Sequence, residues 1–310
     1  MNTNYHLLIE EYVKRKRYRQ INSVLLWQDG EFLAKCFFNG FDENSRNVIK
    51  SVAKSITSVA AGIMIDKGLL KSVDEPVYKF IPQFNEGRDL RHRNMTVRHL
   101  LTMTSGIYWI GGVHYHCPML DQMFRSDDWM EYIADITLKD APGTKYVYKE
   151  WDIILLAEVL NRVSGDVYEF TNDNLYKPLG IESEGWFQTA SGTYYTVGNN
   201  DENEKISDLT AMEMFKIGKL FLEDGICEGK RIISKEYIDM AISPSAAEPG
   251  YGFMWWRGED WYGCRGYGGQ SITVVPKKKL IMVTQATPTA RGMGYDDLIW
   301  SVIEETGNLS

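Results

Sequence analysis

Ser51 and Lys54 stand three residues apart where the sequence begins to follow a helical pattern. Residues at this spacing project from the same face of a helix, so the hydroxyl and the amine lie side by side. A serine hydroxyl becomes a nucleophile when a base removes its proton, and a lysine whose pKa is lowered by burial can be that base. The same spacing also fits a serine that caps the helix, followed by a surface lysine.

Tyr148 is a second residue that can take part in proton transfer. It lies in the run 146–150, immediately before an apolar helix. A tyrosine at a helix entrance can carry a proton between a nucleophile and a leaving group. An aromatic side chain in this place can instead pack the helix against its neighbours.

A glycine-rich turn at 266–270 leads into the strand-like run 271–275. Gly268 and Gly269 let the backbone come close to a ligand, and a backbone N–H at this point can face a developing oxyanion. A nucleotide-binding loop needs a helix after its glycines, so the strand that follows excludes that interpretation. A plain β-turn is the structural alternative.

The elements that hold these groups follow from the hydrophobic pattern. The apolar runs 23–27 and 31–38 are joined by an Asp-Gly pair, which predicts a hairpin. A helical period begins at Val52 and stops at Gly68. Further helices are predicted at about 97–103, 127–136, 151–163, 210–222 and 293–305, and strands at 251–256, 261–267, 271–275 and 280–285.

Strands therefore concentrate at the two ends of the chain, with little strand signal between 65 and 208. This order predicts an α/β (α+β) fold in which both termini build one antiparallel sheet, flanked by helices and interrupted by an all-helical insertion. We expect one domain over residues 1–310. Its sheet subdomain is formed by 1–50 and 209–310, and its helical subdomain by 51–208.

The composition excludes several classes of function. The 310 residues are 44% hydrophobic and 25% charged, ordinary values for a globular chain. Thirty-four basic and 42 acidic residues give a net charge of −8, which argues against nucleic acid or an anionic membrane as a partner. No segment has the apolar core of a secretory signal or the length of a membrane span, so we expect a cytoplasmic location. The oligomeric state is not predicted.

Together, and in this order, the three groups resemble the serine β-lactamase and penicillin-binding-protein-like family, most closely its class C and esterase or amide-hydrolase branch. The resemblance extends from about Ser23 to the C-terminal helix. The stretches that carry it are 50–55 (KSVAKS), 99–106 (HLLTMTSG), 215–220 (FKIGKL), 251–256 (YGFMWW) and 266–270 (GYGGQ).

The resemblance implies a role for each group. Ser51 would be the nucleophile that becomes acylated, and Lys54 the base that accepts its proton. Tyr148 would protonate the leaving group and later help to activate the hydrolytic water, and the proton-transfer roles can be shared between lysine and tyrosine. Backbone N–H groups of Ser51 and Gln270 would form the oxyanion hole. No metal or organic cofactor is required.

Two positions depart from the family pattern. Glu150 stands where the family usually has Asn or Ser, and a carboxylate beside Lys54 would keep the amine protonated, so we expect Glu150 to turn away from the site. Tyr267 stands where the family usually has a lysine or histidine that helps to hold a substrate carboxylate. Because a phenol is uncharged, we expect an uncharged small ester or amide as the substrate.

Arginine and aromatic residues leave the charge and the polarity of the substrate open. Arg257, Arg265 or Arg291 can replace the missing cation. Trp109 is expected beside the cleft, where aromatic side chains form an apolar pocket or pack the core.

Three further features have simpler explanations. His114 and His116 stand two apart before Cys117, a spacing that binds zinc on a strand. Without another carboxylate or histidine at suitable spacing, we expect polar loop residues here and no metal. Lys149 and Asp152 are expected to be solvated charges at a helix start.

The sequence thus predicts a serine hydrolase that acts through an acyl-enzyme on a small ester or amide. A true β-lactamase or D,D-peptidase is one alternative. Another is a degenerate family member that binds a ligand without turnover, for which Glu150 is the reason. The central geometric expectation is that Ser51, Lys54 and Tyr148 meet at one carbonyl carbon.

Overall fold

A computed structural model describes residues 4–111, 117–197, 206–289, 292 and 294–307. The helices of this part are α1 (Tyr5–Val13), α2 (Val52–Asp66), α3 (Gln83–Glu86), α4 (Val97–Leu101), α5 (Pro118–Phe124), α6 (Trp129–Ala134), α7 (Glu150–Ser164), α8 (Val167–Thr171), α9 (Ala211–Leu222), α10 (Lys235–Ile242) and α11 (Asp296–Glu305). The strands are β1 (Ile21–Gln28), β2 (Glu31–Phe37), β3 (Arg46–Val48), β4 (Phe187–Gln188), β5 (Tyr194–Tyr195), β6 (Asp208–Thr210), β7 (Ile226–Cys227), β8 (Lys230–Arg231), β9 (Trp256–Arg257), β10 (Tyr262–Gly266), β11 (Gln270–Val275) and β12 (Leu280–Ala286).

A six-stranded antiparallel sheet, in the order β2-β1-β12-β11-β10-β9, joins the two ends of the chain. Strand β1 lies between β2 and β12, with Leu26 opposite both Ala34 and Met282. Asp29 and Gly30, which connect β1 to β2, both have positive φ (45° and 99°), as a tight hairpin turn requires. The predicted hairpin and the predicted fold class are confirmed.

Helices cover both faces of this sheet. Leu25, Ile272 and Val283 pack in one cluster with α2 and α9. Leu26 and Met282 belong to a second cluster, with α1 and α11 on the opposite face. Because alternate side chains of a strand point to opposite faces, a strand between two helical layers is buried along its whole length, as β12 is.

Helix α2 lies at the centre of the molecule. Every side chain from Val52 to Met64 is buried, so the helix has neighbours on all sides. It contacts α7, α8 and α10 as well as strands β10 and β11. A polar side chain on this helix is therefore removed from water and needs a partner inside the protein.

The helices predicted at 97–103, 127–136, 151–163 and 210–222 correspond to α4, α6, α7 and α9. The strand predicted at 251–256 is wrong, because only Trp256 and Arg257 form β9. Tertiary hydrogen bonds bend the chain here: Met254 donates its N–H to Leu101 O, and Ser55 Oγ donates to Met254 O at 2.5 Å.

Two short strands lie inside the mainly helical stretch, where β4 and β5 pair as a small hairpin. A second ladder, β3 with β6, joins residues 46–48 to 208–210 and so brings together the two ends of the predicted helical subdomain. The division into two subdomains stays a prediction. In the part of the chain that the structure describes, every helix is too short or too polar to cross a bilayer.

Candidate active site

Ser51 lies at the N-terminal end of α2 and lines a cavity of about 320 Å³. The backbone before it is held by the β3–β6 ladder and by a hydrogen bond from Ile49 N to Ser207 O. Lys50 has a φ of 49°, so the chain turns sharply before the helix starts. Within the described residues the Ser51 hydroxyl caps no N–H of α2, which leaves it available for other partners.

Lys54 lies one turn along α2 and is 1% exposed. Its Nζ is 3.1 Å from Ser51 Oγ and 2.8 and 3.0 Å from the two carboxylate oxygens of Glu150. Burial by itself lowers the pKa of Lys54, but the Glu150 carboxylate and Tyr148 together outweigh burial, and the pKa is raised. The resting amine is therefore an ammonium.

The expectation that Glu150 turns away from the site is wrong. Glu150 is the first residue of α7, and its carboxylate is paired with Lys54. Glu150 accepts a second hydrogen bond from β5, where the Tyr195 hydroxyl donates to Glu150 Oε2 at 3.1 Å. A buried ammonium needs a counter-charge, and a helix N-terminus stabilises a carboxylate, so both partners favour this orientation.

Tyr148 lines the same cavity as Ser51, and its ring centroid lies 5.2 Å from Lys54 Nζ. The segment is held by Val147 N, which donates to Met103 O, while the Tyr148 ring stacks on Trp256 at a centroid distance of 6.0 Å. Burial raises the pKa of Tyr148 and outweighs the lowering effect of the Lys54 ammonium, so the resting group is a neutral phenol.

The turn at 266–270 lines the cavity as well. Gly268 and Gly269 have φ of +83° and +104°, and a Cβ at Gly269 would lie 2.2 Å from the Tyr295 ring. The side-chain amide of Gln270 is buried and bonded at both ends to the backbone of Ala286, at 2.6 and 3.2 Å. This anchoring fixes the start of β11, so the Gln270 backbone is held at the cavity.

Tyr267 and Arg265, the residues that bear on substrate charge, also line the cavity. The Tyr267 hydroxyl donates to Thr289 O at 2.7 Å. Arg265 Nε donates to Asp296 Oδ1 at 3.2 Å, and Asp296 lines the same cavity. The positive charge of Arg265 is thus balanced by a neighbouring carboxylate.

The described residues that line this cavity are Ser51, Tyr148, Trp256, Arg265, Gly266, Tyr267, Gly268, Gly269, Gln270, Ser271, Thr284, Gly292, Gly294, Tyr295, Asp296 and Ile299. Trp109 is not in this set; its ring packs edge-on against Trp151 at 5.0 Å. Arg257 donates to Pro249 O on the surface instead.

The expectation that Lys149 and Asp152 are solvated is wrong, since they are 1% and 0% exposed. Their charged groups lie 3.7 Å apart. Asp152 accepts hydrogen bonds from Ser105 Oγ at 2.5 Å and from Ser105 N at 3.3 Å. Burial outweighs the effects of Lys149 and Ser105 and raises the pKa of Asp152 to about 6.

Tyr195 is a neighbour of Glu150 that the sequence pattern did not predict. A signal for its strand is present, because Thr193, Tyr194, Tyr195, Thr196 and Val197 have high β propensity and follow a glycine. His114 and His116, which are expected to be polar loop residues, and also Arg291, lie outside the described residues. Within the described ranges there is no group of three His, Cys, Asp or Glu side chains that could hold a metal ion.

An antiparallel sheet, a central helix with the Ser-x-x-Lys pair at its start, and a tyrosine that reaches them from a helical segment define the class of the protein as a hydrolase of the β-lactamase fold. The beta-lactamase family profile matches residues 8–300, and the chain belongs to that family.

Individual relatives agree with this assignment. The chain is 23% identical over 291 residues to a 6-aminohexanoate-dimer hydrolase of Paenarthrobacter ureafaciens, covering 84% of this chain and 71% of the relative. A penicillin-binding protein from Bacillus halodurans superposes with a TM-score of 0.73 at 20% identity, over 97% of this chain and 99% of the other. A family VIII carboxylesterase superposes with a TM-score of 0.75 at 16% identity, over 97% and 96%.

Proposed function

We propose that the chain is a serine hydrolase that acts through an acyl-enzyme on a small, uncharged ester or amide. The observation that carries the proposal is the cluster beside the cavity, where the Ser51 hydroxyl has the Lys54 amine at 3.1 Å and Tyr148 lines the same cavity with its ring centroid 5.2 Å from that amine. A nucleophile with two proton-transfer groups beside it is what acyl transfer needs.

In this reaction Ser51 Oγ forms a bond to the substrate carbonyl carbon, and its proton passes to Lys54. The bond to the leaving alcohol or amine then breaks, and Tyr148, a neutral phenol, is placed to supply its proton. Water hydrolyses the acyl-Ser51 ester by the same steps in reverse. The backbone N–H groups of Ser51 and Gln270 are the proposed oxyanion donors.

The size and the charges of the cavity favour a small substrate that carries no negative charge. Its volume of about 320 Å³ is at the lower end of ligand pockets. Its arginine, Arg265, is paired with Asp296, and Tyr267 supplies a phenol where a cation would hold a substrate carboxylate. Two similar proteins are named a 6-aminohexanoate-dimer hydrolase and a family VIII carboxylesterase; a dimer of an amino acid is joined by an amide bond, so the two names correspond to the same two classes of bond.

A hydrolysis screen tests this proposal. Purified wild type and Ser51→Ala are compared on p-nitrophenyl esters of graded chain length, amino-acid amides and nitrocefin. We expect turnover of short esters or amides that is lost in Ser51→Ala, and much slower turnover of nitrocefin. Nitrocefin turnover equal to ester turnover would support the β-lactamase alternative. Activity that survives in Ser51→Ala would remove the serine from the mechanism.

A further inference from the structure

The protonation states around Ser51 leave the catalytic proton without an obvious acceptor. Lys54 is an ammonium, because the Glu150 carboxylate raises its pKa against the effect of burial. Tyr148 is a neutral phenol, because burial raises its pKa. An ammonium has no lone pair, and a neutral phenol is too weak a base to remove a serine proton.

Glu150 is the charged acceptor of the described cluster. Its Oε1 is 2.8 Å from Lys54 Nζ, and Lys54 Nζ is 3.1 Å from Ser51 Oγ, so the three groups form a continuous chain of hydrogen bonds. Glu150 itself is 9% exposed, which keeps the chain out of bulk water. The carboxylate therefore reaches the nucleophile through the lysine.

The second contact of Glu150 comes from Tyr195. The Tyr195 hydroxyl donates to Oε2 at 3.1 Å, and its ring is buried against Phe124 and Trp129. Burial, and then the Glu150 carboxylate, raise the pKa of Tyr195 well above its usual value, so it stays a hydrogen-bond donor. Tyr195 is not among the described residues that line the cavity.

We propose that Glu150 is the final acceptor of the Ser51 proton, and that Tyr195 is the positioning residue that orients Glu150 and stabilises its charged form. This inference rests on the proposed function. In this assignment the general base is the Lys54–Glu150 pair and not a neutral Lys54.

The proton transfers balance as follows. Lys54 passes one proton to Glu150 Oε1 and takes the proton of Ser51 as Oγ bonds to the carbonyl carbon, whose π electrons move to the oxygen. Lys54 ends as an ammonium and Glu150 as a carboxylic acid. When the oxyanion collapses and the leaving-group bond breaks, Tyr148 protonates the leaving group, Lys54 reprotonates Tyr148, and Glu150 returns its proton to Lys54.

Glu150→Gln tests the acceptor, because the amide keeps the shape but cannot take the proton. We expect the rate constant for acylation by a p-nitrophenyl ester to fall by about 10²- to 10⁴-fold at pH 7. The rate is expected to recover partly toward pH 9 to 10, since Lys54 without its counter-charge loses a proton more easily. An unchanged rate and pH profile would overturn the assignment.

Tyr195→Phe tests the positioning role and serves if Glu150→Gln does not fold. Removing one hydrogen bond to the carboxylate loosens its orientation, so kcat is expected to fall by about 2- to 10-fold with KM unchanged. Tyr194→Phe is the matched control, because the Tyr194 hydroxyl donates to Asp166, away from the cavity. An equal kcat in Tyr195→Phe and Tyr194→Phe would contradict the role.

Labelling separates this inference from the proposed function. If a fluorophosphonate does not label Ser51 of the wild type, the proposed function fails. If Ser51 is labelled and hydrolysis occurs, but Glu150→Gln and Tyr195→Phe both keep the wild-type kcat, only the inference about Glu150 and Tyr195 fails.

Discussion

Two clusters of the same composition lie side by side at the start of α7. Ser51, Lys54 and Glu150 form one, which we call the cavity cluster; Ser105, Lys149 and Asp152 form the other, which we call the core cluster. Each has a serine, a lysine and a carboxylate, and both lysines are 1% exposed.

The two clusters differ in whether the serine reaches a cavity and in which side chains the hydrogen bonds join. In the cavity cluster the lysine bridges the serine and the carboxylate, and Ser51 lines the cavity. In the core cluster Ser105 is fully buried and bonds directly to Asp152, while Lys149 Nζ has no hydrogen-bond partner among the described residues. Residue types alone therefore do not make a nucleophile. The hydroxyl also needs space for a carbonyl carbon, which the cavity gives Ser51 and which the fully buried Ser105 lacks.

Replacing each serine by alanine gives the largest expected contrast. Ser51→Ala is expected to lower ester hydrolysis by about 10⁴-fold or more, because the nucleophile is lost, while its melting temperature stays close to wild type. Ser105→Ala is expected to keep hydrolysis but to lower the free energy of unfolding by about 1 to 3 kcal/mol, since Asp152 loses a buried donor. Hydrolysis and urea denaturation measure both effects, and a loss of hydrolysis in stable Ser105→Ala would break the contrast.

Replacing each lysine by methionine comes next. Lys54→Met is expected to slow acylation by about 10²- to 10⁴-fold. Lys149→Met is expected to keep acylation within a few-fold and to lower the free energy of unfolding by about 3 kcal/mol, because Asp152 stays buried without its counter-charge.

The double variant Lys149→Met/Asp152→Asn is the control for the core cluster, and we expect it to recover most of the lost stability. Stopped-flow acylation and chemical denaturation are the measurements. Equal acylation rates for Lys54→Met and the wild type would remove the lysine from the mechanism.

The smallest expected effect is a pH dependence of stability that comes from Asp152. Its pKa of about 6 in the folded chain lies above the 3.8 of an unperturbed group. The folded chain therefore binds more protons between pH 4 and 6, and this group lowers the free energy of unfolding as pH rises through that window. In Asp152→Asn this dependence disappears, so its stability relative to wild type is expected to rise by roughly 2 kcal/mol from pH 4 to 7. A constant difference across the window would contradict the assignment.

The sequence predicted the framework of the site well because local signals determine it. The hairpin needs Asp29 and Gly30 in positive φ, and α2 follows from a strong apolar period that begins at Val52. The turn at 266–270 needs its glycines because Tyr295 packs on Gly269. In each case residues close together in the sequence determine the local structure.

The orientation of Glu150 and the burial of Lys149 and Asp152 were not predictable in the same way. Glu150 meets Lys54 across 96 positions of sequence, and only the packing of α7 on α2 decides which side chain of its first turn faces the buried lysine. Charged residues at a helix start are usually solvated, so the local sequence predicted a surface position for Lys149 and Asp152. Their burial results from packing between segments that are far apart in the sequence.

The most direct test of the central claim is where an acyl-type probe attaches. Wild type is treated with a fluorophosphonate, and intact mass and peptide mapping locate the adduct, with Ser51→Ala and Ser105→Ala treated in parallel. The account predicts one adduct on Ser51, absent from Ser51→Ala and retained in Ser105→Ala. No adduct on the folded wild type, or an adduct on another residue, would contradict it.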